Sequence, residues 1–195
     1  MSRPAVFLDR DGTMVHDVGY LSRLEDVQWY PWTIDAIGVL NRAGFLVCVT
    51  TNQGGIGLGF YTEVFLSSVH AHMDEVLAAA GARVDGWFHC PHHPDARVPG
   101  LRVACRCRKP GPGMIEQASA RFAIDLPRSF VVGDKRADVG LGRAVGAQSI
   151  LVKTGYGVAT AQLEGGIADA AYVAEELMDA ASWILAQAGY PRECV

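Results

Sequence analysis

An α/β fold, built on an open parallel sheet with helices on both faces, is the architecture that this sequence predicts. Short apolar strings of four to six residues recur along the chain, and segments with apolar residues at helical spacing separate them. Half of the 195 residues are apolar, which is enough for one well-packed core. We therefore expect a single domain over residues 1–195.

The apolar strings are predicted to be the strands of the sheet. Continuous apolar runs of this length are typical of strands that are buried on both faces. The predicted strands are Ala5–Leu8, Phe45–Thr50, Gly86–Cys90, Ser129–Gly133 and Ser149–Lys153.

The segments between the strands are predicted to be helices, at Thr33–Ala43, Thr62–Ala80, Pro112–Ala123 and Arg136–Val145. Strands that alternate with helices form βαβ units with right-handed crossovers, so the sheet should be parallel and Rossmann-like. Ligands of such sheets bind at the carboxyl ends of the strands. Functional residues are expected there.

The charge of the chain argues against several classes of partner. The net charge is -4, and no run of Lys or Arg offers a track for a phosphodiester backbone. The apolar stretch near the N-terminus is too short for a signal peptide, and no uncharged segment is long and apolar enough to span a membrane. We expect a soluble, cytoplasmic monomer that acts on a small molecule and binds neither nucleic acid nor membrane.

Two carboxylates follow the first predicted strand, in the sequence Asp9-Arg10-Asp11-Gly12. Residues two apart in an extended chain point the same way, and the glycine allows the chain to turn after them. Two neighbouring carboxylates repel each other unless a cation or a shared proton lies between them. Taken alone, the pattern fits an exposed acidic turn equally well.

The other strand ends favour a phosphate site over an acidic turn. Thr51 and Asn52 follow the second strand with a glycine-rich loop whose backbone amides could cradle phosphate. Lys109 could neutralise a phosphoryl group, and Asp134 and Asp138 follow the fourth strand. This combination suits phosphoryl transfer through a carboxylate nucleophile and a divalent ion.

Three of the five cysteines lie in the segment 90–107, with two histidines beside the first of them. In a reducing compartment, this tight spacing indicates metal before disulfide. Four thiolate and imidazole ligands would close a tetrahedral zinc site, which favours a structural over a catalytic ion. The two prolines and the glycine between the ligand pairs argue against a nucleic-acid finger. We interpret Cys48 as a buried thiol and Cys194 as a loose tail residue.

The motifs DRDGT, TTNQGGI, RKPGPGM and GDKRAD, in this order, resemble those of the haloacid-dehalogenase-like phosphatases over roughly residues 6–155. Within them the chain is similar to the D-glycero-D-manno-heptose 1,7-bisphosphate 7-phosphatase family, which is close to the histidinol-phosphatase domain. The C-x-H…C-x-C-R-K-P loop is specific for this subgroup, which lacks a large cap domain. The resemblance implies a phosphatase that removes the 7-phosphate in nucleotide-activated heptose biosynthesis.

The resemblance also implies the catalytic roles. Asp9 would be the nucleophile, and Asp11 would protonate the leaving alkoxide and then deprotonate water. Thr51 and Lys109 would bind the transferring phosphoryl group. A catalytic Mg²⁺ would be held by the Asp9 carboxylate, the Asp11 backbone carbonyl and Asp134. Lys135 or Asp138 would orient Lys109 and the metal; Lys135 as a solvated lysine and Asp138 as a helix cap are the alternatives.

By the same resemblance, a structural Zn²⁺ would bind Cys90, His92, Cys105 and Cys107. His92 is chosen over His93 because the family pattern is C-x-H, and His89 is interpreted as a strand-end residue. The zinc loop would then hold Arg108 and Lys109 over the site, with Arg108 reaching a distal phosphate.

The residues that the resemblance assigns to substrate binding come from four segments. They are Asp17, Val18, Gly19, Tyr20, Thr51, Asn52, Gln53, Gly54, Arg108, Lys109 and Lys135. Trp32 departs from the family, which usually has Pro-Gly there, so the aromatic segment around it would pack on a partner or reshape the rim. The alternatives are a phosphatase for histidinol phosphate or another small phosphomonoester, and a non-catalytic zinc-dependent binding module.

Overall fold

A computed structural model describes residues 2–163, 165 and 167–190, so Cys194 lies outside the described residues. Within them, six parallel strands form one sheet in the spatial order β3-β2-β1-β4-β5-β6. The strands are β1 (Ala5–Leu8), β2 (Leu46–Asn52), β3 (Gly86–Cys90), β4 (Phe130–Gly133), β5 (Gln148–Val152) and β6 (Tyr172–Ala174). The predicted parallel sheet is confirmed.

Helices connect the strands and cover both faces of the sheet. They are α1 (Thr33–Arg42), α2 (Gly54–Leu58), α3 (Glu63–Ala79), α4 (Gly113–Arg121), α5 (Arg136–Val145), α6 (Gly157–Gln162) and α7 (Leu177–Gln187). The start of α3 follows from its sequence, because the Thr62 hydroxyl accepts a hydrogen bond from the backbone N–H of Phe65 and caps the first turn. The four predicted helices are present within two residues at each end.

The core divides into two layers because side chains alternate along each strand. Val6 and Leu8 of β1 pack with the apolar faces of α1, α3 and α7, whereas Ala5 and Phe7 pack on the other face with α4 and α5. Cys48 is buried in the second layer, and burial raises the pKa of its thiol to about 12. It is the inert buried thiol that the sequence predicts.

Two parts of the prediction need correction. Strand β2 runs on to Asn52, so Thr51 and Asn52 are the last residues of a strand and do not lie in a loop. The glycine-rich segment after it begins the short helix α2. Strand β6 and helix α7 lie in the C-terminal part, where no strand or helix was predicted.

The aromatic segment around Trp32 packs inward. Trp29 and Trp32 lie against the first core layer, and the Trp32 ring stacks on Tyr30 with 5.5 Å between ring centroids. Tyr30 in turn contacts the ring of His16, the first residue of the segment 16–20, which contains four predicted substrate-binding residues and is called the predicted substrate loop below. The segment therefore supports the base of that loop.

The order of the strands places a crevice at a defined position. Going outward from β1, the chain proceeds to β2 and β3 on one side and to β4, β5 and β6 on the other. Connections that leave in opposite directions open a crevice at the carboxyl ends of β1 and β4, where ligands of such sheets bind. Among the described residues, no helix has both the length and the apolar character needed to cross a membrane.

Candidate active site

A cavity of about 100 Å³ lies at this crevice. Residues that follow or end four strands, β1 to β4, meet around it, and most of them carry charge. The lining residues are Asp9, Asp11, Asp17, Gly19, Thr51, Asn52, Lys109, Lys135, Ala137 and Asp138. The structure thus brings together acidic, hydroxyl and ammonium groups that are up to 129 positions apart in the sequence.

The Lys109 ammonium group is buried between two carboxylates. Its Nζ lies 2.8 Å from Asp9 Oδ1 and 2.6 Å from Asp138 Oδ1, and it donates a hydrogen bond to the backbone carbonyl of Thr50. Burial opposes its charge, but Asp138 and Asp9 outweigh burial and raise the Lys109 pKa. The group is therefore a permanent cation beside Asp9.

Asp138 has both of the functions that the sequence left open. Its Oδ2 accepts a hydrogen bond from the backbone N–H of Lys135 and caps α5, while its Oδ1 holds Lys109. One carboxylate can do both because its two oxygens accept separate donors.

Asp134, directly after β4, is fully buried in a cradle that only glycine permits. A Cβ at Gly12 or at Gly155 would lie 2.3 Å from Asp134 Oδ2. That oxygen accepts a hydrogen bond from the backbone N–H of Tyr156, whereas Oδ1 has no hydrogen-bond donor and lies 3.5 Å from Lys135 Nζ. Burial, and then the charge of Asp9, raise the pKa of Asp134 to about 7.

Lys135 lies between Asp17 of the predicted substrate loop and the buried carboxylate of Asp134. Its Nζ lies 3.1 Å from Asp17 Oδ2 and above the ring of Tyr156. Burial opposes the charge of Lys135, but Asp9, Asp134 and Asp17 outweigh burial and raise its pKa. Lys135 is thus a partly buried cation and not a solvated loop lysine.

The other residues of the predicted substrate loop lie nearer to solvent. Gly19 lines the cavity, and its backbone N–H donates to Asp17 Oδ1. Val18 and Tyr20 do not line it; they are 45% and 48% exposed, and the Tyr20 ring stacks on Phe60. They stand at the rim, where a larger ligand would extend.

Asp11 is the most exposed of the five carboxylates at the site, and two neighbours hold it in place. The Arg10 guanidinium donates to both of its oxygens, and the Gln53 amide donates to Oδ2. Gln53 was predicted to contact substrate, but it is buried outside the cavity lining and makes its hydrogen bonds within the protein.

The glycine-rich segment after β2 also differs from its predicted role as a phosphate cradle. A Cβ at Gly54 would lie 2.9 Å from the His93 ring, and a Cβ at Gly55 would lie 2.4 Å from the Tyr61 ring. Neither glycine lines the cavity. Their small size makes room for neighbouring side chains.

The four predicted zinc ligands lie in one cluster, with their ligand atoms all within 4.8 Å of one another. Cys107 Sγ is 3.2 Å from both Cys90 Sγ and His92 Nδ1. These sulfur atoms are free thiols, because a disulfide bond is about 2.05 Å long. His93 accepts a hydrogen bond from the Asp95 backbone, and His89 contacts Glu63, so neither belongs to the cluster.

The two residues after the cluster are held in different ways. Arg108 Nη1 donates to the backbone carbonyl of His92, inside the cysteine loop, and Arg108 borders a second cavity, separate from the one beside Asp9. Lys109 is anchored elsewhere, because the amide of Asn52 accepts from its backbone N–H and donates to its carbonyl. Asn52 therefore fixes the Lys109 backbone to β2.

Sequence reasoning missed several residues that build the site. No role was predicted for Arg10, which lies between Asp9 and Asp11 in the sequence. Tyr61 lies in a loop that carries no motif. The segment Thr154–Gly157 was also missed, although Thr154 Oγ1 donates to the Gly12 carbonyl and Tyr156 donates to Asp134. Its signal was present, since two glycines follow the fifth predicted strand at the same edge of the sheet.

Known proteins are similar to this chain in sequence and in fold. Residues 106–180 match a family model described as HAD-hydrolase-like. Among solved structures, the chain resembles the D,D-heptose 1,7-bisphosphate phosphatase from B. bronchiseptica complexed with magnesium and phosphate, with 32% identity and a TM-score of 0.80 over 94% of this chain and 99% of the other. The fold and the site together define a haloacid-dehalogenase-like hydrolase.

Two relatives make the assignment narrower. A protein of Thermosynechococcus vestitus, named D-glycero-D-manno-heptose-1,7-bisphosphate 7-phosphatase, is 42% identical over 193 residues, which cover 94% of this chain and 96% of the relative. A protein of Yersinia pestis, named D-glycero-beta-D-manno-heptose-1,7-bisphosphate 7-phosphatase, is 42% identical over 91% of this chain and 93% of its own. The chain belongs to this phosphatase family, whose members hydrolyse phosphoric monoesters.

Proposed function

We propose that the chain is a magnesium-dependent phosphatase that removes the 7-phosphate of D-glycero-D-manno-heptose 1,7-bisphosphate through an aspartyl-phosphate. The names of its relatives support the substrate. The observation that carries the chemistry is the pairing of Asp9 with the buried ammonium of Lys109 at the cavity. The proposal includes a cytoplasmic monomer in nucleotide-activated heptose biosynthesis, where reducing conditions keep the three cysteine thiols available.

The reaction has two displacements at phosphorus. An Asp9 oxygen attacks the phosphorus, the bond from phosphorus to the sugar oxygen breaks, and that oxygen takes a proton from Asp11. Water then attacks the same phosphorus and gives a proton to the Asp11 carboxylate, and the bond to Asp9 breaks. Inorganic phosphate leaves, and both aspartates return to their starting states.

Two groups around Asp9 suit the transferring phosphoryl group. The Lys109 ammonium is held in position before substrate arrives, so its charge needs no rearrangement during the reaction. Thr51 is buried at the cavity, and its oxygen accepts a hydrogen bond from Gln53. The hydroxyl proton of Thr51 is therefore available for a phosphoryl oxygen.

The charges of the site fit a divalent cation. Five carboxylates face three side-chain cations, which leaves two formal negative charges; the groups are Asp9, Asp11, Asp17, Asp134 and Asp138 against Arg10, Lys109 and Lys135. The buried Asp134 Oδ1 has no hydrogen-bond donor. The carboxylates of Asp9 and Asp134 and the backbone carbonyl of Asp11 would hold Mg²⁺, which would offset the repulsion between Asp9 and the phosphate.

The cluster of Cys90, His92, Cys105 and Cys107 would bind a structural Zn²⁺. Three thiolates and one imidazole complete a tetrahedral site, so no position is left for substrate or water. The ion would fold a polar loop whose residues have few apolar partners of their own.

Phosphate release from a panel of substrates tests this proposal. We expect the chain to release one phosphate from the heptose bisphosphate, and ³¹P NMR should show that the phosphate at C1 remains. EDTA should stop turnover and added Mg²⁺ should restore it. Faster turnover of histidinol phosphate would reassign the substrate. If no phosphomonoester is turned over, the alternative of a non-catalytic zinc-dependent binding module would be favoured.

An Asp9→Asn variant tests the role of Asp9 as the nucleophile. It preserves the volume of the side chain but removes the attacking carboxylate, so turnover should be abolished while thermal denaturation still shows a folded protein. Phosphate release by this variant at the wild-type rate would remove Asp9 from the proposed role.

A further inference from the structure

The side chain of Gln53 makes four hydrogen bonds in the interior, one at each available position of its amide. Its Oε1 accepts from Arg10 Nη2 at 3.1 Å and from the Tyr61 hydroxyl at 2.6 Å. Its Nε2 donates to Asp11 Oδ2 and to Thr51 Oγ1, both at 2.8 Å. Gln53 thus joins the proposed proton donor to the proposed phosphoryl-binding hydroxyl.

Only one orientation of this amide satisfies its partners. A flip would place the amide N–H groups against the Arg10 guanidinium, which is donor-only, and this conflict is the same in both protonation states of Asp11. The two donors at Oε1 therefore decide that Nε2 faces Asp11. Tyr61 supplies one of these donors although it does not line the cavity.

Arg10 completes the arrangement. Its Nε and Nη2 donate to the two oxygens of Asp11 at 3.0 and 2.9 Å, and the same Nη2 donates to Gln53. The guanidinium is buried, so water does not compete for these hydrogen bonds. The Asp11 carboxylate is held from two directions.

The backbone beneath Tyr61 is shaped for this contact. A Cβ at Gly55 would lie 2.4 Å from Cε1 and 2.8 Å from the hydroxyl oxygen of Tyr61. Gly55 has no positive φ that would require glycine. The absence of a side chain at position 55 instead lets the ring approach Gln53.

We propose that Tyr61, acting through the amide of Gln53 and together with Arg10, positions the carboxyl group of Asp11 for proton transfer to the leaving oxygen. This inference rests on the proposed function, in which Asp11 gives its proton to the sugar oxygen as the bond to phosphorus breaks. Tyr61 is a positioning residue, since it reaches the reacting atoms only through Gln53.

The dependence on the leaving group separates this role from a merely structural one. A sugar alkoxide is a strong base and needs the proton of Asp11, whereas p-nitrophenolate leaves without one. The ratio kcat/KM reports formation of the aspartyl-phosphate for both substrates and is unaffected by the later hydrolysis. A defect in positioning Asp11 should therefore appear in kcat/KM for the sugar phosphate and not for p-nitrophenyl phosphate.

The experiment compares Tyr61→Phe with Tyr190→Phe. Tyr190 also donates one hydrogen bond, of 2.7 Å to the Ala43 carbonyl, but this bond is exposed and lies at the opposite end of the sheet. We expect Tyr61→Phe to lower kcat/KM on the sugar bisphosphate about tenfold and on p-nitrophenyl phosphate less than about twofold. Tyr190→Phe should leave both values unchanged. Gly55→Ala, which displaces the ring from the other side, should reproduce the selective loss.

Asp11→Asn separates failure of this inference from failure of the proposed function. Selective loss on the sugar phosphate in Asp11→Asn but equal effects of Tyr61→Phe on both substrates would overturn the role of Tyr61 alone. Equal losses on both substrates in Asp11→Asn would overturn the proton-transfer role of Asp11, and the inference with it.

Discussion

Replacing Gly155 with alanine should displace Asp134 and lower the activity by about a hundredfold. The new Cβ would lie 2.3 Å from Asp134 Oδ2 and 2.6 Å from the Cα of Gly12, whereas ordinary contacts begin at 3.4 Å. The carboxylate or the loop around it must therefore move by about 1 Å. A displacement of about 1 Å in a catalytic group costs on the order of a hundredfold in rate.

Gly146→Ala is the control for backbone strain. Both glycines have a positive φ, at +55° for Gly155 and +74° for Gly146, but a Cβ at Gly146 meets nothing within 4 Å. The positive φ alone should cost each variant about 1 kcal/mol of stability because alanine avoids this conformation, and the close contacts at Gly155 add to that cost. Only Gly155→Ala should also lose activity and require more Mg²⁺ for half-maximal turnover.

The measurements are phosphate release as a function of Mg²⁺ concentration and thermal denaturation of both variants. If Gly155→Ala and Gly146→Ala had equal activity at saturating Mg²⁺, the cradle around Asp134 would not govern its position. The reasoning from the close approach would then be refuted.

Two further changes test other parts of the molecule. Cys107→Ser should remove one zinc per chain, as measured by elemental analysis. It should raise the KM for the bisphosphate more than it lowers kcat, because Arg108 is bound to the cysteine loop whereas Lys109 is bound to Asn52. Loss of zinc with unchanged kinetics would contradict this reasoning. Burial against Trp87 lowers the pKa of His70 to about 3, so the unfolded state binds the extra proton as the pH falls below about 6.5. The free energy of unfolding should therefore fall by about 1.4 kcal/mol per pH unit from this residue between about pH 6 and 4. His70→Phe should show a shallower dependence in urea titrations, and equal slopes would argue against the burial effect.

The parallel sheet could be predicted because burial on both faces leaves a direct mark on the sequence. The strands β1 to β5 are continuous apolar strings, and the termini of α5 coincide with the prediction. Strand β6 is too short for this signal: it has three residues, and two of them are only half-buried at the edge of the sheet. Helix α7 follows it in a segment without a motif, so its packing against α1 was not foreseen.

Among the site residues, types could be predicted but contacts could not. Asp9, Asp11, Thr51, Lys109 and Asp134 follow from chemistry at the strand ends. Side chains that act on other side chains leave no such pattern, because their partners are distant in sequence. Gln53 illustrates this: its position in the motif indicates a role at the site, but Tyr61 and Arg10 decide that it faces Asp11.

The separate anchoring of Arg108 and Lys109 has a consequence for how such enzymes diversify. Lys109 is held by β2 through Asn52 and by α5 through Asp138. Arg108 is held by the cysteine loop, because its guanidinium donates to the His92 carbonyl. In the proposed function Arg108 contacts the substrate and Lys109 the transferring phosphoryl group, so substitutions in residues 91–104 other than His92 should change substrate preference and leave Lys109 in place. Engineering a new substrate preference should begin in that loop and leave the β2 end untouched.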